Sequence, residues 1–401
     1  MRERFRRGGA LTALLITVFM DMVGFGIIIP LTPFWAERFG AAPDTVTLLF
    51  ATYSAFGLAF SFLWGWASDR WGRKPVLLAS LMGSVLSFLW LGFAEALWML
   101  FAARAVGGIS GANVAVGQAY IADVTTEKNR ARGFGLFGAA FGLGFVLGPA
   151  IGGILAGPDP ADPDFRTPFM VAAAMSFVGV VFGLVFLPEP KRRERSGARY
   201  SVPAQLAGFA RIVAMPAVAV PLLCFTMLGF VMGGLESTFA IWAEREVRWG
   251  PRETGFFFAY IGVLLIVVQG WLVGVLVKRY GEARVAAPAI AAMAAGIGML
   301  PFSGTVPLIA VSGALMTLGY GLGQPSLTAL ISRASPTDSQ GAILGVTHSI
   351  QSLVRVVGPI TAGALFAAYG RDMPFLVGAA ILAVAFAVAL SLIRGRLGRA
   401  G

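Results

Sequence analysis

The ten residues Gly65-Trp66-Ala67-Ser68-Asp69-Arg70-Trp71-Gly72-Arg73-Lys74 stand between two long apolar runs, residues 45–67 and 76–94. A basic turn bracketed by glycines, joining runs of that length, reads as a hairpin of membrane-spanning helices, because crossing about 30 Å of hydrocarbon takes about 20 apolar residues. The pattern extends in both directions. Apolar runs fall at 10–34, 45–67, 76–94, 98–122, 133–156, 168–187, 216–242, 253–277, 284–303, 307–332, 341–369 and 373–394. None alternates in polarity, so barrel strands do not fit. Apolar residues make up 57% of the chain and charged residues 13%, against about 25% charged in soluble domains. The mean hydropathy is +0.79. The sequence thus predicts an all-α polytopic membrane protein with twelve transmembrane helices. Ala10 to Phe34 is too long for the apolar region of a cleavable signal and lacks a small-residue cleavage site after it, so it is read as span 1.

Charge orients the spans. Of the 31 lysines and arginines, 23 fall in the termini and the segments after even-numbered spans, 6 fall in the alternate segments, and Arg104 and Arg355 lie inside spans. Basic residues are retained on the cytoplasmic side, so both termini are expected there. The net charge of +11 is therefore a matter of topology, and no nucleic-acid partner is expected. The single cysteine, Cys224, excludes an intramolecular disulfide and reads as a packing residue.

The chain repeats itself. Gly65 and Gly274 both close an even-numbered span before a basic turn, Gly148-Pro149 matches Gly358-Pro359, and Ile121 and Ile331 end spans 4 and 10. Each pair is separated by roughly 210 residues. The division expected is a six-helix bundle over 1–189, a basic cytoplasmic linker over 190–214 and a second bundle over 215–401. Two pseudo-symmetric bundles around a central cavity are a common plan of secondary transporters.

The loop that opens this section resembles the signature loop of the major facilitator superfamily. Gly65 and Gly72 would permit a tight turn and close helix approach. Asp69 would accept from a neighbouring helix N-terminus, and Arg70 and Arg73 would pair with carboxylates; the second copy, Lys278-Arg279-Tyr280-Gly281-Glu282, lacks that acid. By resemblance, this loop, with Asp123 and Arg130, latches the halves in one state of the transport cycle. In span 5, Gly144, Gly148, Pro149, Gly152 and Gly153 resemble the antiporter motif that separates exporters from symporters. Their spacing alone implies a bent, tightly packed helix. With Arg104-Ala105-Val106-Gly107-Gly108 in span 4 and the span-1 stretch from Asp21 to Pro33, the chain is most similar to the tetracycline efflux pumps among twelve-span drug:proton antiporters. Those pumps also carry aspartates in spans 3 and 9, where this chain reads Leu86-Ser87-Phe88 and Ala291-Ala292-Met293-Ala294-Ala295.

Ionisable groups at membrane depth cost about 2.5–3.5 kcal/mol each to insert and are functional candidates. Four are present: Asp21, Arg104, Glu236 and Arg355. Asp21 lies roughly 17 Å into span 1, near mid-bilayer. Desolvation raises such a carboxyl's pKa and a nearby cation lowers it, so Asp21 is the expected proton-coupling site, with Glu236 as a second candidate. Arg104 is expected to orient Asp21 or an anionic substrate. Arg355, Asn113, Gln118 and Gln351 are further candidates for a substrate cavity or charge partner. The lone histidine, His348, reads as a packing residue. No metal-ligand spacing and no phosphate-binding loop appear, so the proton gradient is the expected energy source, with no cofactor and no metal. The sequence therefore predicts a non-enzymatic transporter in a bacterial inner membrane, monomeric, with small molecules, protons and lipid as partners. A proton-coupled exporter of lipophilic, drug-like molecules leads; export of an endogenous metabolite, siderophore or lipid, or uptake by proton symport, stay open.

Overall fold

The computed structural model describes residues 2–111, 113–190, 215–334 and 340–397. Apart from Pro190, the expected linker lies outside these residues. Twelve helices are long and apolar enough to cross a membrane. They are span 1 Gly9–Ile28, span 2 Pro43–Trp71, span 3 Arg73–Gly92, span 4 Leu97–Val124, span 5 Arg132–Leu155, span 6 Arg166–Phe186, span 7 Ala217–Val247, span 8 Pro251–Tyr280, span 9 Glu282–Phe302, span 10 Val306–Ala334, span 11 Gly345–Tyr369 and span 12 Met373–Leu390.

Two boundaries differ from the sequence reading. The first apolar run does not continue to residue 34. Its helix stops at Ile28, because Pro30 has no N–H to donate and disfavours helical geometry in the residue before it. A separate short helix, Thr32–Arg38, follows, with Pro33 in its first turn where no donor is lost. The second difference is at the opening loop. Span 2 runs helically to Trp71 and span 3 starts at Arg73, so one residue, Gly72 at φ +106°, makes the whole turn. Gly65 is mid-helix and, among the described residues, has no atom within 4 Å of where a Cβ would sit. It does not turn the chain, and the turn assigned to it passes to Gly72. The second copy behaves alike: Gly274 is helical and open, while Gly281, at φ +79°, joins spans 8 and 9. A left-handed single-residue joint is a position that glycine alone takes without strain.

Contacts divide the chain into two compact units. The first holds Met1–Ser196 and also Ala243–Gly262, the end of span 7 and the start of span 8. Within it, span 1 packs on spans 5 and 6, span 3 on span 6 and span 2 on span 4. The second holds Gly197–Trp242 and Val263–Gly401, with span 9 packed between spans 10 and 12. Each unit also turns apolar residues outward. Val185, Phe186 and Trp271 are exposed along spans 6 and 8, while Trp71, Trp98 and Tyr369 are exposed at span ends. Water would not tolerate such a surface; a bilayer does, with the amphipathic rings at its interface.

Candidate functional site

Asp21 is 1% exposed in the interior of the first unit, where it accepts a hydrogen bond from Ser176 Oγ of span 6 at 2.9 Å. Small residues make that depth possible. A Cβ on Gly24 would lie 2.9 Å from Ala172 O and 3.1 Å from Phe88, so spans 1, 3 and 6 close around this turn. The next turns of span 1 are laid on span 5. A Cβ on Gly144 would be 2.6 Å from Met22 Cβ, one on Gly148 2.6 Å from Gly26 Cα, and one on Gly152 2.5 Å from Ile27 O. The span-5 motif is thus a seam of backbone against backbone, starting one residue beyond Asp21. Pro149 sits within the unbroken helix Glu127–Leu155. Gly153 faces the other way, 3.0 Å from the carbonyls of Pro251 and Arg252, and Gly255 approaches Pro149 O.

Arg104 is buried too, but its contacts are with span 2. Its Nε donates to Leu49 O at 3.5 Å, and its guanidinium stands over the rings of Tyr53 at 4.6 Å and Phe50 at 5.7 Å. Asp21, which Arg104 was expected to orient, is not among these contacts. A cation over an electron-rich face is stabilised without a carboxylate, which is how an arginine is carried at this depth. Gln118 is exposed, and the side chain of Asn113 lies outside the described residues.

The opening loop is organised by Arg73. This buried residue pairs with Asp69 (Nη2 to Oδ1, 2.7 Å) and Asp123 of span 4 (Nε to Oδ2, 3.0 Å), and donates to Ser68 Oγ at 2.5 Å. Asp69 is therefore an ion-pair partner of Arg73, and capping the start of span 3 is left to another residue. That task falls to Glu189, whose carboxylate accepts from the backbone N–H groups of Arg73 and Lys74 at 2.7 and 2.8 Å. An anion at a helix N-terminus satisfies orphan donors and the helix dipole together. Arg70 lies over the Trp66 ring at 5.5 Å, and Arg130 Nε is buried with no hydrogen bond among the described residues. The second unit holds a counterpart with the signs exchanged. Glu282, the first residue of span 9, is buried and paired with Arg333 at the end of span 10 through 2.7 and 3.1 Å contacts. Arg73 and Asp123 occupy the matching positions roughly 210 residues earlier.

In the second unit, span 11 lies on span 7 as span 5 lies on span 1. A Cβ on Gly358 would be 2.7 Å from Phe230 O, and Gly229 faces Gln351 while Gly233 faces the backbone of Arg355. Glu236 of span 7 is half-buried and Arg355 of span 11 is exposed.

The short helix after span 1 carries one more group without a sequence signal. Glu37 accepts from Arg245 Nη2 at 3.0 Å and shares a side-chain hydrogen bond with Glu244. Burial, and then the Glu244 carboxyl, push Glu37 up to about 8 from its ordinary 4.5, against the pull of Arg245. Arg38 beside it is turned to Asp162, Asp44 bonds to Thr45 N, and Glu253 accepts from Gly250 N, so Glu244 and Arg245 are the charges that govern it. The sign follows from proton uptake: the tied state holds a proton that a released, solvated Glu37 gives up above its ordinary value. The tie is fully favoured below pH 4.5 and weakens until about pH 8, where it levels off. Spin labels at Ala42 and Val247, in a Cys224→Ser background, should show the longer separation gaining up to pH 8 and no further. Glu37→Gln should remove the pH dependence, and an unchanged distance distribution in the native chain from pH 5 to 9 would contradict the assignment.

The chain matches the Major Facilitator Superfamily profile over residues 14–359 and again over 271–399. It is 31% identical to the class C tetracycline resistance protein of Escherichia coli over 94% of this chain and 96% of that protein. It is 28% identical to multidrug resistance protein 1 of Bacillus subtilis (strain 168) over 95% of each. Among solved structures it resembles the nucleoside transporter NupG, with a TM-score of 0.78 at 12% identity, covering 96% of this chain and 99% of that one. It also resembles the human organic anion transporter MFSD10, with a TM-score of 0.70 at 21% identity, over 96% and 99% of the two chains. Joined to twelve spans, a repeated half and the two motif loops, these matches establish that the chain belongs to the Major Facilitator Superfamily of membrane transporters.

Proposed function

We propose that this protein is a proton-coupled antiporter that exports small lipophilic, drug-like molecules by alternating access, with Asp21 as the coupling carboxylate. The observation that carries the reading is the placement of a buried membrane-depth carboxyl one residue before the glycine seam of the exporter-type motif. A proton gained or lost at Asp21 changes the charge of a span whose next turns are packed backbone to backbone on span 5. Coupling of that kind needs a titrating group and a packed element with two arrangements. The tetracycline and multidrug resistance proteins similar to this chain supply the direction and the class of cargo. The positive-inside asymmetry supports cytoplasmic termini and a bacterial inner membrane, and a monomer suffices, since both halves lie in one chain.

A second reading, export of an endogenous metabolite, siderophore or lipid, is favoured by one feature of span 3. Where the resemblance to tetracycline pumps implies an acid, this chain reads Leu86-Ser87-Phe88, and Ser87 donates to Ala103 O at 2.7 Å in helix packing. The test is a compound panel added to proteoliposomes that enclose a pH-sensitive dye. Substrate-dependent proton movement with several lipophilic compounds is the expected outcome; movement with one metabolite alone selects the second reading. No proton movement with any compound, while substrate still crosses, overturns the antiport assignment.

A further inference from the structure

Among the described residues two arginines are buried, Arg73 and Arg104, and their surroundings are opposite in kind. Arg73 closes on two carboxylates, at 2.7 and 3.0 Å. Arg104 has no carboxylate within 4 Å among the described residues, and its one hydrogen bond there runs from Nε to Leu49 O at 3.5 Å. The N–H groups on both Nη atoms are left without an acceptor among these residues. Tyr53 and Phe50, at 4.6 and 5.7 Å, offset the charge through their rings. An aromatic face meets the charge of a guanidinium but does not occupy the planar fork of donors at its edge.

Tyr53 is also the first rung of an aromatic ladder. Its ring centre is 5.3 Å from that of Phe25 on span 1, and Phe25 is 6.0 Å from Phe145 on span 5, which stacks on Phe141 at 5.3 Å. All four rings are half-buried, so each keeps accessible surface. Arg104 is 5% exposed, which leaves it desolvated but not sealed. The frame is rigid. A Cβ on Gly107 would lie 3.5 Å from Tyr53 Cδ2, and one on Gly108 would overlap the Tyr53 carbonyl oxygen, so span 4 is laid directly on span 2. Span 3 supplies no acid, since Arg73–Gly92 contains neither aspartate nor glutamate, and its Ser87 donates to the Ala103 carbonyl beside Arg104. A guanidinium that only tied helices together would close on a carboxylate, as Arg73 does, because an unpaired charge keeps its full desolvation cost. A buried fork of donors at the end of a row of rings instead matches a flat ligand with acidic oxygens at its edge.

We propose that Arg104, Tyr53 and Phe25, backed by Phe145, form a binding site for a small aromatic carboxylate, its acid paired with the guanidinium and its ring against the ladder. A carboxylate takes both arms of the fork at once, and charge-assisted bonds of this kind strengthen where water is excluded. One turn of span 1 separates Phe25 from Asp21, so an occupant of the site bears on the helix that carries the coupling carboxyl. The site names the cargo class of the exporter proposed above and rests on that reading.

The probes are 2-naphthoate and 2-naphthamide, which share size and ring and differ in the charge of the head group. Isothermal titration calorimetry near pH 7, with the full chain in an uncharged detergent, gives both affinities. 2-Naphthoate should bind about ten- to hundredfold more tightly, the scale of a hydrogen bond to a charged group. Arg104→Gln should erase that difference by weakening 2-naphthoate alone. Phe25→Leu should weaken both probes by about two- to tenfold and keep their ratio, and it carries the test if Arg104→Gln does not fold. Equal affinity for the two probes, no binding of 2-naphthoate, discrimination that survives Arg104→Gln, or unchanged affinities in Phe25→Leu overturns the site. Because binding is read without a gradient, selective binding of 2-naphthoate with no proton movement in proteoliposomes supports the site and overturns antiport alone. Proton movement with uncharged lipophilic compounds, beside equal affinity for the two probes, overturns the site alone.

Discussion

Asp21→Asn is expected to lower uphill, gradient-driven export by at least about a hundredfold, the scale on which loss of a proton-transferring group acts, while exchange of substrate for substrate persists. The reason is local. Asparagine keeps the size of aspartate and an oxygen that can accept from Ser176 Oγ, now 2.9 Å from Asp21 Oδ1. What it loses is the ability to ionise. The folded protein should be no less stable for the change, because a neutral amide removes a charge whose insertion costs about 2.5–3.5 kcal/mol. Ser176→Ala removes one hydrogen bond and should act on the pH dependence of transport far more than on its maximum. Uphill transport by Asp21→Asn at the native rate would end the assignment of coupling to this carboxyl.

Gly148→Leu is the second large effect, and it is steric. A Cβ at this position would lie 2.6 Å from Gly26 Cα, 2.7 Å from Gly26 C and 2.7 Å from Val23 O. All three are backbone atoms, so no side-chain rotation relieves the overlap. Overpacking a tight contact costs about 1–3 kcal/mol when neighbours can shift, and this seam offers nothing flexible to shift. The variant is expected to lose transport and to unfold at least about 5 °C lower in a thermal-shift assay. Gly138, on the same helix, has nothing within 4 Å among the described residues. Gly138→Ala should be neutral or stabilising by up to about 1 kcal/mol through helix propensity. Equal melting temperatures for the two variants would show that the seam is not packed as described.

The comparison of these glycines shows what the sequence could and could not tell. Twelve spans were legible because hydrocarbon imposes a length and a composition on every helix that crosses it. The repeat was legible because matched landmarks survive at a constant offset. Which glycine turns the chain was not: Gly65 and Gly72 look alike in sequence, and only the backbone separates a helical glycine from one at φ +106°. Polar partnerships were the least legible. Glu189 caps the span that starts at Arg73 from more than a hundred positions away, Asp21 meets Ser176 on span 6, and Glu37 meets Glu244 and Arg245 on the other half of the sequence. Such pairs depend on which helix faces which, and apolar periodicity carries little of that when lipid and protein interior are equally apolar.

The exchanged signs of Arg73–Asp123 and Glu282–Arg333 bear on how the chain assembles. Spans 3 and 9 both begin directly after a glycine joint, and both seek the end of a neighbouring span. In a bilayer, greasy surfaces give them little reason to prefer one partner over the other. Were the two pairs identical, a newly inserted span 9 would find Asp123 as acceptable as its own partner. As built, that encounter sets Glu282 against Asp123, and the converse sets Arg73 against Arg333, each a like-charge meeting where ions are poorly screened. The two halves thus carry opposite keys to the same lock. A chimera in which the span 8–9 hairpin replaces the span 2–3 hairpin should insert yet fail to reach the mature fold, until Asp123 is changed to arginine.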